Sequence, residues 1–491
     1  MTLDNKKRVD NHLTKTDNKI PSFLTMAKAV GPLCNLNCSY CYYLTKTSLF
    51  PNSHSYKMKE DVLEAYIKNA IESSDASTVQ FVWHGGEPTL LGINYYKKVI
   101  EFQKKYSDDS VQCINIIQTN GVLLNESWCK FFKDEKFWVG LSMDGPAKLH
   151  NANRKDKVNG PTFKEVINAY TLLRDFGIDP DVLCTLNATT AKHPAEIYNF
   201  FRDLNVRWLQ FLPIVQIRPD GTLSKESVLP SDLGYFLTKV FDMWVRNDVG
   251  KIDVQTFFET LMAYANGQSI LCINAKYCGN VLVVEHDGGI YSCDHFVNED
   301  HYLGNVVDTT LIEAFNSPFQ TEFSEAKYNT LPEKCLNCKY LFACNGGCPK
   351  DRVHSLSGFQ NKPIQPSNQP INLLGKQQLQ TEQNKTVEID VGELDTGNLD
   401  TGNLDTGKLN TGKLNILCEG YLTYYNHVDG YMKLMAQLAK NSKPIALIMD
   451  QVKYEDELIR RAKKTNQNRK GGNKNGKKIP SIRRVSAENR V

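Results

Sequence analysis

The chain is 491 residues long, 41% apolar and close to charge balance, with a formal net charge of +3. It is long enough for two or three domains with substantial cores, and its charge points to no class of partner. It has no run of about eighteen apolar residues, and its start, Met-Thr-Leu-Asp-Asn-Lys-Lys-Arg, is polar, so neither a helical membrane span nor a secretory signal is expected. Fourteen cysteines without an export signal are expected to ligate metal in a reducing compartment, the cytoplasm, rather than to form disulfides.

Residues 1–22 read as a polar, disordered lead. From 23 to 250, short β-branched or aromatic runs near 24–30, 78–84, 113–119, 137–143, 180–187 and 206–213 alternate with helical stretches such as 60–73, 161–176 and 193–204. The alternation predicts a parallel sheet with right-handed crossovers, curling toward a barrel of six units rather than eight. Ligands then belong at the C-terminal strand ends. From 251 to 352 the composition turns to Gly, Asn and Asp, with seven cysteines between 272 and 348, which predicts a second, metal-nucleated domain. Residues 353–415 are rich in Gln, Asn and Ser and carry the pentapeptide repeat Gly-Asn-Leu-Asp-Thr. They read as a disordered insertion, the alternative being one coil of a small β-solenoid. Order resumes over 416–459, with a helix from 420 to 440, and 460–491 is a basic tail with twelve Lys or Arg and a single acid. Lacking interleaved aromatics, the tail is expected to be solvated and not to bind nucleic acid.

Cys34, Cys38 and Cys41 are spaced Cys-x3-Cys-x2-Cys directly after the first predicted strand. Three thiolates can hold three corners of a four-iron cluster and leave one iron open to a ligand, whereas four cysteines close the site and suit it to electron transfer. A zinc knuckle or three unrelated core cysteines are the alternatives. Cys335, Cys338, Cys344 and Cys348 follow Cys-x2-Cys-x5-Cys-x3-Cys, with Cys272, Cys278 and Cys293 upstream and Cys418 beyond the insertion. Spacing alone leaves two structural zinc sites open here. Cys113, Cys129 and Cys184 fall in strand or helix patterns and read as core thiols. The turn Gly85-Gly86-Glu87-Pro88 ends the second predicted strand, and its glycines allow backbone to approach a ligand closely.

The run Cys-Asn-Leu-Asn-Cys-Ser-Tyr-Cys-Tyr-Tyr resembles the signature of the radical S-adenosylmethionine (SAM) enzymes. Together with Trp-His-Gly-Gly-Glu-Pro-Thr-Leu, Gln-Thr-Asn-Gly and Leu-Ser-Met-Asp-Gly-Pro it is similar to the anaerobic sulfatase-maturating enzymes, over roughly 23–352 and 416–445. The resemblance implies a partial (β/α)6 TIM-like radical SAM barrel followed by a cysteine-rich SPASM domain. It implies three [4Fe-4S] clusters and SAM as cofactors. Cys34, Cys38 and Cys41 would hold the open cluster. Cys272, Cys278, Cys293 and Cys348 would hold one auxiliary cluster, and Cys335, Cys338, Cys344 and Cys418 the other. The long spacer before Cys418 departs from the family pattern. SAM contacts would come from Gly85, Gly86, Glu87, Ser142, Arg154 and Val215, with the Arg154 fork on the SAM carboxylate. Asp294, next to Cys293, would accept the substrate proton, and Tyr43 would touch the substrate peptide. The implied reaction is oxidation of a sulfatase Cys or Ser to Cα-formylglycine, with a flavodoxin- or ferredoxin-type electron donor. Another SPASM peptide-modifying enzyme, forming thioethers or epimerising residues, and a non-catalytic iron–sulfur carrier are the rival readings.

Overall fold

The computed structural model describes residues 23–50, 55–74, 77–218, 222–353 and 412–471, together with two short strands at 377–380 and 386–389. The lead 1–22, the pentapeptide repeat before residue 412 and the tail beyond 471 lie outside the described residues. No helix among the described residues is long and apolar enough to cross a membrane.

Six strands alternate with helices as the periodicity requires: β1 (Leu24–Lys28), β2 (Thr78–Trp83), β3 (Gln112–Thr119), β4 (Trp138–Ser142), β5 (Asp181–Leu186) and β6 (Trp208–Pro213). All five pairings along this series are parallel. On β2 the alternate residues Val79, Phe81 and Trp83 are buried, as the two-residue side-chain period of a strand dictates. They meet the helix Glu60–Glu72, which turns Val62, Leu63, Tyr66, Ile67, Ala70 and Ile71 inward at helical spacing. Cys129 and Cys184 are buried core thiols in two separate clusters, and Cys113 is partly buried against the one that holds Cys129, as expected.

The sheet does not stop at the expected domain boundary. Beyond residue 250, β7 (Asp253–Val254) adds parallel to β6, and β8 (Val281–Glu285) adds parallel to β1. Two antiparallel strands follow, β9 (Gly289–Tyr291) and β10 (Tyr302–Asn305), giving one sheet ordered β10-β9-β8-β1-β2-β3-β4-β5-β6-β7. The cysteine-rich segment thus covers the β1 edge that a partial barrel leaves open, where unpaired backbone groups need partners. This register places Glu285 beside Lys28 at the ends of β8 and β1.

Two further expectations change. The helix Ile448–Gly471 carries helical backbone into the segment read as tail, in keeping with its run of Glu, Leu, Arg, Ala and Lys. Within the segment read as a disordered insertion, Gln377–Gln380 and Thr386–Ile389 pair antiparallel. The ends of that insertion are pinned together: Arg352 and Val353 pair antiparallel with Asn415 and Leu414, and the Ile416 N–H donates to the Asp351 carbonyl at 2.9 Å. The long spacer therefore begins and ends at one place and leaves Cys418 in reach of the other cysteines.

Cys418 starts the helix Cys418–Lys440, which packs across Pro230–Asn247 and Gln255–Asn266. The crossing is closest at Gly420, where a Cβ would stand 2.3 Å from the Pro230 carbonyl oxygen. Gly420→Val is therefore expected to lower stability by about 1–3 kcal/mol through overpacking. A denaturant midpoint equal to that of the unaltered chain would contradict this packing.

Candidate active site and metal centres

Chain geometry after β1 is dictated by two close approaches. On one side, the Gly86 and Glu87 N–H groups donate to the carbonyls of Gly31 (2.8 Å) and Leu33 (2.9 Å). A Cβ on Gly86 would lie 2.0 Å from the Leu33 oxygen, so only glycine permits the contact, and Gly85 takes a φ of +128°. On the other side, Asn37 N–H donates to Lys155 O (2.7 Å) and Ser39 N–H to Asn153 O (3.1 Å). The loop bearing Cys34, Cys38 and Cys41 is clamped between these segments.

Glu87 is 1% exposed. Its carboxylate accepts from Thr89 N–H (3.0 Å), the Thr89 hydroxyl, the Thr119 hydroxyl (2.7 Å) and Asn120 N–H (2.7 Å). Asn120 in turn donates to Asn35 (2.8 Å) beside Cys34. The Glu87 carboxylate thus fastens the ends of β2 and β3 under the cysteine loop.

The three sulfurs are near enough that ionising Cys38 or Cys41 disfavours ionising Cys34. Burial pushes the Cys34 thiol up to about 12 and the Cys38 thiol up to about 11. Buried sulfurs of this kind ionise when a metal cation binds them, which is the donor chemistry of a cluster.

Asp144, just past β4, is buried despite its charge. It accepts from the Tyr40 hydroxyl, Thr185 N–H (3.0 Å), the Thr185 hydroxyl (2.7 Å) and Arg154 Nη2 (3.1 Å). Burial is the largest influence and opposes the charge, but Arg154, His150 and the Tyr40 hydroxyl together outweigh it and hold the carboxyl below its ordinary range. Arg154 also places Nε 3.0 Å from Asp144 and lies over the Tyr40 ring. The Arg154 fork, expected on a ligand carboxylate, is thus turned to Asp144, because a buried carboxylate needs a paired cation. Ser142 ends β4 and takes a hydrogen bond from Gln118 Nε2 (3.0 Å). Val215 follows β6, is buried, and its carbonyl accepts from Lys350 Nζ at 3.4 Å.

Asp294 lies where three elements meet. Lys28, the last residue of β1 and 0% exposed, forms an ion pair with it, and the Tyr42 hydroxyl donates to its other oxygen. Its side chain keeps 20% exposure. Burial alone would raise the carboxyl; Lys28, then His295 and His84, reverse this and hold it far below the carboxylate range. His84 accepts on Nδ1 from Gly85 N–H (2.8 Å) and faces Lys28 Nζ at 3.1 Å. Two donors on Nδ1 leave the ring proton on Nε2, and burial, with Lys28, lowers its pKa to about 3. Tyr43 is 3% exposed, its hydroxyl donates to Glu285, and its ring lies under Lys28. Lys28, Tyr42, His84 and Asp144 are functional-site residues that the sequence reading missed. A lysine ending an otherwise apolar strand was the available signal, since buried lysines are almost always paired.

Cysteines beyond 270 form two groups. Cys272, Cys278, Cys293 and Cys348 are linked by mutual charge effects, and so are Cys335, Cys338, Cys344 and Cys418. The second group lines a cavity of about 50 Å³ with Tyr340, Tyr421 and Tyr425. A gap between four sulfurs in an otherwise close-packed interior fits a multi-atom group. Among the described residues no three or more His, Cys, Asp or Glu are arranged to hold a single metal ion. Burial pushes Cys344 and Cys348 up to about 12 and Cys278 to about 11, so these sites too require bound cations to become thiolates.

Comparison with known proteins finds two family segments in the chain. The model of the radical SAM superfamily matches residues 29–201, and that of an iron–sulfur cluster-binding domain matches 265–339. The serine-type anaerobic sulfatase-maturating enzyme of Bacteroides thetaiotaomicron is 35% identical over 443 residues, covering 87% of this chain and 94% of that protein. The cysteine-type enzyme of Clostridium perfringens is 33% identical over 337 residues, 68% of this chain and 90% of that one. The solved structure of native anSMEcpe with bound AdoMet superposes with a TM-score of 0.67 at 28% identity, covering 84% of this chain and 98% of that one. A second structure of that protein, with bound AdoMet and Cp18Cys peptide, gives a TM-score of 0.67 at 27% identity.

Glu87→Gln is expected to leave one of the four donors facing an amide N–H and to cost about 1–3 kcal/mol. Thermal unfolding checks this, and an unchanged midpoint would contradict the role of the carboxylate.

Proposed function

The chain belongs to the anaerobic sulfatase-maturating enzymes, and from that membership we propose how its own residues carry the reaction. The enzyme oxidises one Cys or Ser of a sulfatase to Cα-formylglycine. A serine loses two hydrogens to give the aldehyde, and a cysteine passes through a thioaldehyde that water converts to the same product. Bound clusters and SAM would supply the electron and the 5′-deoxyadenosyl radical that removes a hydrogen atom from the substrate Cβ, and an auxiliary cluster would take up the one electron the substrate then releases.

Cys34, Cys38 and Cys41 hold the open cluster, and the Gly85-Gly86 turn presents backbone to the SAM methionine end. Ser142, Arg154 and Val215 border the nucleoside side, with Arg154 acting while anchored to Asp144. Cys272, Cys278, Cys293 and Cys348 hold one auxiliary cluster, and Cys335, Cys338, Cys344 and Cys418 the other. Asp294 accepts the thiol or hydroxyl proton as the Cβ–H bond breaks. Lys28 keeps it ionised and in place beside an anionic centre, and Tyr42 fixes its second oxygen. Tyr43 supports Lys28 from below. The single observation carrying this reading is the partly exposed carboxylate next to Cys293, tied to a fully buried lysine. The substrate is a sulfatase polypeptide, a one-electron donor of flavodoxin or ferredoxin type serves the open cluster, and the cytoplasm is the compartment that keeps fourteen cysteines reduced.

With a sulfatase peptide carrying Cys/Ser-x-Pro-x-Arg, mass spectrometry should show loss of two hydrogens at Ser or sulfur-to-oxygen exchange at Cys. Asp294→Asn is expected to reduce that product about 100- to 10,000-fold, the usual range for a lost general base, while 5′-deoxyadenosine still forms. Full product formation in this variant would remove Asp294 from the mechanism. Lys28→Met is expected to raise the ratio of 5′-deoxyadenosine to formylglycine; an unaltered ratio would reduce Lys28 to a structural residue.

A further inference from the structure

The loop from Cys344 to Cys348 joins the two auxiliary groups through three residues, Asn345, Gly346 and Gly347. All three hold left-handed backbone, with φ of +45°, +73° and +64°. Such a run is unfavourable for Asn and tolerable for Gly. Its carbonyls turn onto one side chain. The Arg352 guanidinium donates to Gly346 O (3.3 Å) from Nε and to Asn345 O (3.2 Å) and Gly347 O (3.5 Å) from Nη2. Nη1 donates to Lys327 O at 2.7 Å. A Cβ on Gly346 would stand 2.3 Å from Leu331 Cδ2 and 2.8 Å from Nη2, so glycine at this left-handed position leaves room for both side chains.

Because Arg352 is held by the carbonyls of the loop that runs from Cys344 of one group to Cys348 of the other, it lies between them, and its charge acts on Cys335 and Cys344 as well as on Cys278 and Cys348. Its hydrogen-bond partners among the described residues are all carbonyl oxygens. A guanidinium with no paired carboxylate in a half-buried site is costly unless other negative charge is near. Lys327 is a second cation with a narrower reach. It is 1% exposed, and its Nζ donates to the carbonyls of Cys272, Ile273 and Ala275. It feels Cys272, Cys278 and Cys348, which all belong to the first group. The two cations meet at one peptide, since the Lys327 carbonyl receives Arg352.

We propose that Arg352 and Lys327 are the residues that set the reduction potentials of the auxiliary clusters, Arg352 acting on both and Lys327 on one. Adding an electron adds negative charge, so a fixed cation nearby favours the reduced state, and the low dielectric of the interior strengthens the effect. Arg suits the shared position because it remains charged at every working pH. The unequal reach of the two cations makes one auxiliary site easier to reduce than the other. In the established reaction the substrate gives up one electron after losing its Cβ hydrogen, and this inequality gives that electron a direction. Arg352 and Lys327 are positioning residues: neither touches substrate. The inference rests on the cluster assignments under Proposed function.

The test is an anaerobic redox titration of the reconstituted full chain, followed by electron paramagnetic resonance, with iron counted in parallel. Arg352→Gln should move both auxiliary midpoints to lower potential and leave the third cluster unchanged. Arg352→Lys should restore most of the shift, and Lys327→Met should move one auxiliary midpoint only. With iron retained, unchanged midpoints in Arg352→Gln and Lys327→Met, or an equal shift of all three clusters, would overturn the proposal. If Arg352→Gln loses iron, Lys327→Met and Arg352→Lys decide: a single shift in the former with near-normal midpoints in the latter supports it, and any other pattern overturns it. Fewer than three clusters in the unaltered protein would instead refute the cluster assignments.

Discussion

Gly86 occupies a place where even a methyl group would collide with the Leu33 carbonyl. On that contact depends the junction of β1 and β2, and with it the seating of the loop that carries Cys34, Cys38 and Cys41. Glu87 secures the junction from beneath by binding the ends of β2 and β3, and Asn120 extends the bond to Asn35. The same segment delivers His84 to Lys28, and Lys28 to Asp294. One backbone approach thus aligns the cysteine loop with the Asp294 carboxylate.

The polar interior is organised by pairing, as burial demands. Asp144 with Arg154, Asp294 with Lys28, and Glu285 with Tyr43 each place an acid against a donor. They cluster at the C-terminal strand ends, where a parallel sheet positions its ligands. The extension of the sheet by β8 is what brings Asp294 and Glu285 to the end of β1. A segment that reads as separate in sequence therefore packs its acids against the end of the first strand.

The periodic part of this architecture was legible. Six apolar runs marked β1 to β6, and apolar spacing marked the helices that cover them. Cysteine spacing placed one loop after β1 and set its three cysteines apart from the later ones. What stayed hidden were contacts between distant residues. Nothing local to Leu-Thr-Met-Ala-Lys says that Lys28 meets Asp294, 266 positions later, because that contact arises from strand order and not from period. The partners of Arg154 and Tyr43, Asp144 and Glu285, depend on packing that a linear pattern does not encode. The spacer before Cys418 looked disruptive because length in sequence is not distance in space: a two-residue ladder at 352–353 and 414–415 brings its ends together.

The central claim is an asymmetry of ligation: one cluster held by three cysteines and open to SAM, two held by four and closed. The direct measurement is Mössbauer and electron paramagnetic resonance spectroscopy of the anaerobically reconstituted, reduced chain with and without SAM. Three four-iron clusters should be present, and SAM should alter the spectrum of one while leaving two untouched. A SAM response from none of them, or from all three alike, would contradict the account.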